Sequence, residues 1–171
     1  MLETAAVYWE SKVRIYGFTE GLGLSLFTLI FPGERLENWA EMIKVMAEDH
    51  GTFELVFFQE AGKGLLKCCL VFDEKSGNFQ RRRIEEAMQN DTATSFHIDF
   101  PVELISFHGP HFQDRYGIAE AAFAALKKAD FPLLAVGCTG TSVYVVLPEK
   151  KAGPAARLLA ETFIIPQVDG S

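Results

Sequence analysis

Residues 131–163, FPLLAVGCTGTSVYVVLPEKKAGPAARLLAETF, contain two apolar runs followed by an amphipathic segment. Apolar and β-branched residues fill 131–137 and 141–148, which is typical of two β-strands, and the small polar residues between them are typical of a tight connection. In the segment that follows, Pro154 falls in the first turn of a predicted helix over 152–163, where a missing N–H costs little. The inner face of that helix is formed by Ala155, Leu158, Leu159, Thr162 and Phe163.

The residues just before this stretch add one more strand and one more helix. VELISF at 102–107 alternates as a strand does, and Asp114 is a good N-cap for a helix that runs to about Ala129. The side chains expected to face inward in that helix are Ile118, Ala122, Ala125, Leu126 and Ala129. With IIPQV as a possible short closing strand, the second half follows the order β-α-β-β-α-β.

The first half repeats that order. Its predicted elements are strands over 12–18 and 24–31, a helix over 37–49, strands over 53–58 and 65–72, a helix after residue 78, and a strand over 93–100 that continues through Pro101. Gly21 and Gly23 predict a tight connection between the first two strands, because glycine accepts positive φ at little cost. The strand over 12–18 is one strand more than the β-α-β-β-α-β order requires, and it is expected to complete a sheet edge.

These patterns predict a duplicated α+β protein. Ala40–Glu41 matches Ala119–Glu120 and Phe72–Glu74 matches Leu147–Glu149, which is the internal similarity of a repeat. We therefore expect two ferredoxin-like βαββαβ domains in tandem, with antiparallel sheets and helices on one face. The predicted domains are residues 1–100, which include the extra N-terminal strand, and residues 101–171.

Charge and composition limit the classes of partner. A formal charge of −7 argues against nucleic acid, which is bound by clustered Lys and Arg, and the run Arg81–Arg83 is followed by Glu85 and Glu86. The third strands, LLKCCLVF and TSVYVVLP, lack the basic-Gly-aromatic pattern of RNA-recognition modules. No export signal is visible and no apolar run approaches the ~18 residues of a membrane span, so no membrane partner is expected. Three cysteines, with Cys68 and Cys69 adjacent and expected on opposite strand faces, fit a reducing cytoplasm.

The second half resembles an ACT domain, most closely the second of the tandem ACT domains at the C-terminus of aspartate kinases. The matching features are an Asp-x-x-Gly-Ile entry to a helix (Asp114, Gly117, Ile118), the small-residue link GCTGTS at 137–142, and the helix ending LLAETF at 158–163. Tyr116 stands where that family usually has Pro. In the first half, FPGERLEN replaces the motif, and the amino-acid kinase catalytic domain is absent from this sequence.

The resemblance implies a non-catalytic regulatory protein. Members of the family bind small effectors, usually amino acids, and effector binding changes the activity of an attached enzyme. We therefore expect an amino-acid effector, a homodimer, an enzyme subunit as a possible partner, and no cofactor. A ligand carboxylate would approach Asp114, Tyr116, Gly117 and Ile118, with Gly117 at the third helical position, because free N–H groups and the positive helix end favour anions. Across the gap, Gly137, Cys138 and Thr139 would form the wall, with Cys138 as a small filler.

Other functions are compatible with parts of the sequence. Cys138 is a candidate nucleophile if His108 or His111 serves as its base. His97, His108 and His111 could suggest a metal site, although no Cys or carboxylate joins them at ligand spacing. The Phe-rich strands and the histidines also fit a small-molecule enzyme of the ferredoxin-like dimeric barrel type. A scaffold that only pairs with another subunit is the remaining alternative.

Overall fold

The computed structural model describes residues 12–48, 52–89, 91–110, 112 and 116–165. The strands are β1 (Gly17–Pro32), β2 (Phe53–Gly62), β3 (Leu65–Phe72), β4 (Ser95–His108), β5 (Ala135–Cys138) and β6 (Ser142–Pro148). The helices are α1 (Leu36–Glu48), α2 (Glu74–Met88), α3 (Ile118–Lys128) and α4 (Ala152–Thr162), and one 3-10 turn, Gly33–Arg35, precedes α1. The expected α+β class is confirmed.

All six strands form one antiparallel sheet in the order β2-β3-β1-β4-β6-β5. β1 and β4, with 16 and 14 residues, are long enough to serve both halves of the chain. The last part of β1 lies between β3 and the start of β4, whereas its first part pairs with the end of β4, Gly17 with His108 and Gly21 with Leu104. The second half therefore uses N-terminal residues in its sheet.

The N-terminal strands differ from the prediction. The expected tight connection at Gly21 and Gly23 is wrong, because residues 17–32 form a single strand that keeps pairing with β4 on both sides of these glycines. The pairing register shifts between Gly21 and Leu26, Gly23 has φ +65°, and Leu22 is exposed. The extra residues are absorbed as a bulge rather than a turn. Of the predicted strand over 12–18, only its last two residues belong to a strand.

Two of the three apolar cores lie between the sheet and the helices. In the first, α1 and α2 pack on β1 and β3 around Phe27, Leu70 and Phe72. In the second, α3 and α4 pack on β4 and β6 around Ile105 and Val145. Burial of these side chains is the main favourable term in forming each layer.

The third core joins the two halves across the other face of the sheet. It is formed by strand residues and by Leu134 just before β5, and it combines Leu26 and Val71 of the first half with Val146 of the second. A Cβ placed on Gly137 in β5 would lie 3.8 Å from the ring of Phe57 in β2, although these strands are at opposite ends of the strand order. The sheet is therefore bent until its two ends face each other.

Candidate functional site

The start of α3 is set by the backbone of Gly117. Its φ of +84° lies in the left-handed region, so Gly117 precedes the helix as its N-cap, and its carbonyl accepts from the Ala121 N–H at 2.9 Å. The expectations that Asp114 is the N-cap and that Gly117 is the third helical residue are therefore wrong. Asp114 and His111 lie outside the described residues. Tyr116 is 99% exposed, and Ile118 is buried in the second core.

The GCTGTS segment forms the turn of the β5–β6 hairpin. The Thr139 hydroxyl accepts from the Ser142 N–H at 3.0 Å and from the Thr141 N–H at 3.3 Å, and the Thr139 N–H donates to the Ser142 carbonyl at 2.8 Å. A threonine that bonds the backbone two and three residues ahead stabilises a turn. The small polar residues thus have a structural role in closing the hairpin.

Gly137 and Cys138 lie on opposite faces of β5. Gly137 pairs with Tyr144, and its nearest neighbours are Phe57 and Tyr144 on the bent side of the sheet. Cys138 is exposed and its thiol donates to the Thr139 carbonyl at 3.4 Å, and its role as a small filler in the wall of a site stays a prediction. A nucleophilic cysteine needs a base as its partner, whereas this hydrogen bond goes to a backbone carbonyl.

Both groups of predicted site residues are connected to the end of β4. β4 ends at His108, which pairs with Ser142 at the end of the hairpin turn, and the chain then leads from His108 to Gly117. Among the described residues, and leaving out the chain neighbours of Gly117, no heavy atom lies within 4 Å of a Cβ placed on Gly117. Since the neighbours of Gly137 are Phe57 and Tyr144, a gap shared by both groups stays a prediction.

The N-termini of α2 and α4 are already satisfied by carboxylates of this chain. Glu103, buried in β4, accepts from the backbone N–H groups of Lys150, Lys151 and Ala152 at 2.8, 2.9 and 2.6 Å. Asp73 accepts from the Ser76 N–H at 2.7 Å at the start of α2. At α3 the N-cap is a glycine, which has no side chain to supply such an acceptor. The motifs of the sequence did not predict a role for Glu103, whose signal is a lone charge inside the apolar strand VELISF.

The described histidines are separated. His97 lies 3.2 Å from Asp99 on β4, and the His108 ring packs against Tyr16 with ring centroids 5.3 Å apart. Within the described ranges, no group of three or more His, Cys, Asp or Glu side chains is placed to hold a metal ion. In the same part of the chain, no helix is long and apolar enough to span a membrane.

Comparisons with known proteins find similarity in structure. No family model and no curated protein sequence matches the chain. The fold is similar to the ligand-free regulatory subunit of aspartate kinase from Thermus thermophilus, with 13% identity over 88% of this chain and 99% of that chain, and a TM-score of 0.73. The regulatory subunit of aspartate kinase from Thermus flavus is 12% identical over 87% of this chain and 98% of that chain, with a TM-score of 0.75.

A whole enzyme contains the same fold as one of its parts. E. coli aspartokinase III in complex with lysine and aspartate is 13% identical over 91% of this chain but only 35% of that chain, with a TM-score of 0.60. Identities this low establish the fold and nothing further. The chain therefore shares its fold with regulatory subunits and C-terminal regulatory domains of aspartate kinases.

Proposed function

We propose that the protein is a non-catalytic regulatory protein of the ACT type that binds an amino acid or a similar small metabolite. The observation that carries the proposal is how much of each chain the structural match includes. In two regulatory subunits of aspartate kinase, 98–99% of the subunit matches 87–88% of this chain. The similarity to aspartokinase III, whose structure contains lysine and aspartate, supports an amino acid as the ligand class.

In this proposal the chain consists of two βαββαβ units that meet near residue 100. The first unit would use β2-β3-β1-β4 with α1 and α2, and the second β1-β4-β6-β5 with α3 and α4. β1 and β4 would then belong to both units. A ligand that orders one unit would influence the other through these strands and through the core that contains Leu26 and Val146.

The proposed ligand site lies between the α3 start and the β5–β6 hairpin. A ligand carboxylate would accept from the first N–H groups of α3, since the helix end attracts anions and Gly117 has no side chain to obstruct it. The main chain of the edge strand β5, at Gly137 and Cys138, would bind the polar groups of the ligand, with Thr139 bordering the site just after the strand. Asp114 and Tyr116 would border the site from the loop before α3.

Thermal unfolding in the presence of each amino acid tests this function. A ligand at 100 times its dissociation constant stabilises the folded state by about 2.7 kcal/mol, which is readily detected. Gly117→Val should remove the ligand-induced shift, whereas Gly153→Ala in α4, where an added Cβ meets only the Arg157 side chain at 3.7 Å, should keep it. Each variant is compared with its own ligand-free midpoint. No shift of the wild-type protein with any amino acid would count against the proposal.

A homodimer is the assembly that we propose, with β2 as the contact. β2 is one edge of the sheet, its sequence FELVFFQEAG contains no Pro or Lys, and Val56 and Phe58 are 37% and 41% exposed. An edge strand with exposed apolar side chains can pair with another strand, and Glu54 and Glu60 are the charged residues on this one. An enzyme subunit is the further partner that this function implies. Coelution with a purified aspartate kinase catalytic subunit on size exclusion tests that partner.

A further inference from the structure

A small cavity lies between the first half of α2 and the strands β1 and β4, on the helix side of the sheet. Its volume is about 120 Å³. A water molecule in the liquid occupies about 30 Å³, so the cavity has room for about four waters or for a ligand of about five non-hydrogen atoms. None of the residues proposed to bind the amino acid at the α3 start and the β5–β6 hairpin lines this cavity.

The hydroxyl of Ser25 on β1 is the first polar group of the cavity. Ser25 is 6% exposed, and within the described ranges its hydroxyl makes no hydrogen bond. A Cβ placed on Gly77 would lie 2.9 Å from the Ser25 oxygen, so the hydroxyl has its space because α2 carries a glycine there. Proteins rarely leave a buried polar group without a partner. The partner of this hydroxyl is therefore expected in whatever occupies the cavity.

Two further polar groups come from α2. Arg81 donates through Nε to Glu85 at 2.7 Å, and among the described residues only Glu85 accepts from it. A guanidinium has five N–H donors, so the four on the terminal nitrogens remain for an acceptor in the cavity. Asn78 adds a side-chain amide, and none of the described lining residues is a carboxylate. The cavity therefore favours an anion.

The rest of the cavity wall is apolar. Phe27 is 1% exposed, and its ring packs edge-on against Phe96 with centroids 5.5 Å apart, so this part of the wall is fixed. Ile98 and Phe100 on β4 extend the apolar surface. A concave apolar wall with a few convergent polar groups is the usual form of a small-molecule site.

We propose that this cavity binds a short monocarboxylate. The carboxylate would accept from the terminal nitrogens of Arg81 and from the Ser25 hydroxyl, and the short carbon chain would lie on Phe27. An α-amino acid of the same length would bind more weakly, because its ammonium group would leave water without a carboxylate to pair with. The ligand class thus differs from that of the proposed function, and the inference does not depend on it.

An NMR titration of the ¹⁵N-labelled protein with propionate tests the site. The amide resonance of Gly77, which is buried beside Ser25, should shift saturably. Propionamide lacks the charge, and L-alanine adds an ammonium group to the same carbon skeleton. Each should bind at this site at least roughly tenfold more weakly than propionate. Arg81→Leu should weaken propionate binding to a similar degree. Arg82→Leu, an exposed arginine that does not line the cavity, is the matched control.

Ser25→Ala separates a ligand-binding role of the hydroxyl from a structural one. Because the hydroxyl has no partner among the described residues, its removal should not lower the urea midpoint of the ligand-free protein. The same variant should weaken propionate binding severalfold. A lowered midpoint with unchanged propionate binding would overturn the role assigned to Ser25.

Gly117→Val separates this inference from the proposed function. The propionate shift at Gly77 should persist in that variant. If propionate instead shifts the amide of Gly117 and not that of Gly77, the anion binds at the α3 start, and this site is wrong while the proposed function stands. No saturable shift at Gly77, or equal binding of propionate and propionamide, would also overturn the inference and leave the amino-acid proposal unaffected.

Discussion

The three cysteine thiols differ in environment, and the difference predicts their reactivity. Cys68 and Cys69 are buried on β3 and belong to opposite faces of the sheet, as the sequence predicted. Burial disfavours the thiolate, which raises the pKa of Cys68 to about 12 and also raises that of Cys69. Cys138 is exposed at the end of β5. Since the thiolate is the reactive form, only Cys138 should be modified in the native protein.

Thiol titration with a chromogenic disulfide checks this expectation. The native protein should react at one of its three cysteines, and the protein unfolded in denaturant should react at all three. Cys138→Ser should abolish the native reaction and leave two thiols in denaturant. Fast reaction of a second thiol in the native protein would show that the β3 cysteines are accessible to solvent.

Glu103 is a single side chain on which the start of α4 depends. Its carboxylate accepts from three backbone N–H groups, which are left without that acceptor if it is removed. Glu103→Ala should lower the free energy of unfolding by about 3 kcal/mol, and Glu103→Gln by less, because one amide oxygen still accepts. Glu149→Ala, which removes an exposed carboxylate 3.6 Å from Lys150, should change stability by less than about 1 kcal/mol. Urea midpoints at constant m value measure both effects.

At the scale of residues, the sequence predicted which residues have a special environment better than it predicted what each of these residues does. It singled out Gly117, and the structure gives that residue a φ that favours glycine. It also singled out Cys138 and Thr139, yet the thiol is exposed and the hydroxyl is used inside the turn. The direction of a side chain on an edge strand depends on the pairing register. In a short strand such as β5 the apolar pattern does not fix that register.

The start of α2 gives a prediction at the scale of one element. The hydrogen bond from the Ser76 N–H is the main cause that lowers the pKa of Asp73 below its usual range. A lowered pKa means that the carboxylate stabilises the fold above the pKa of the unfolded chain, and that this contribution is lost as the pH falls through the folded pKa. Asp73→Ala should therefore cost about 1 kcal/mol at neutral pH and less in acid.

Urea unfolding of wild type and Asp73→Ala at about pH 7 and about pH 3 measures that difference. Asp73→Asn is the matched control, because its amide oxygen caps the helix and does not titrate in this range. It should stay close to the wild type at neutral pH. A gap between wild type and Asp73→Ala that is the same at both pH values would contradict the assigned role.

The exposed edge of β2 predicts the assembly. If two copies pair through this strand, Phe58→Lys places a charge at the contact and should convert a dimer into a monomer. Val45→Lys on α1 is the matched control, because Val45 is 36% exposed but lies away from the sheet edge, and it should leave the dimer intact. Light scattering after size exclusion gives the mass of each variant. A wild-type protein that is monomeric at every concentration would overturn the proposed homodimer.

Elements with strong periodicity were predicted closely, and the N-terminal strands were not. α1 and α4 begin and end within one residue of the expected bounds, because their apolar stripes are set by local sequence. Gly21 and Gly23, in contrast, suit either a hairpin turn or a bulge. The choice is made by β4, whose end pairs with Gly17–Gly21 although it is far away in the sequence. A local pattern carries no information about that partner.

At the scale of the whole molecule, the bent sheet makes the two halves depend on each other. The sequence predicted an α+β chain with a repeated order, but it did not predict that β1 and β4 take part in both halves. Strand continuity depends on pairing across the sheet, and the core with Leu26, Val71 and Val146 forms only after the sheet has bent. Neither half would keep its sheet, or this core, if the other half unfolded.

The two halves should therefore unfold in one transition. Met46, fully buried, belongs to the core under α1 and α2, and Met46→Ala should cost about 2–5 kcal/mol. Trp39 in a Trp9→Phe background reports on the first half. Phe123→Trp, in a variant without other tryptophans, reports on the second half, because Phe123 packs against the core under α3 and α4. Coincident urea midpoints are the signature of two-state unfolding. If the halves are coupled as the shared strands require, Met46→Ala shifts both midpoints equally, whereas independent halves would leave the midpoint reported by the second-half probe unchanged.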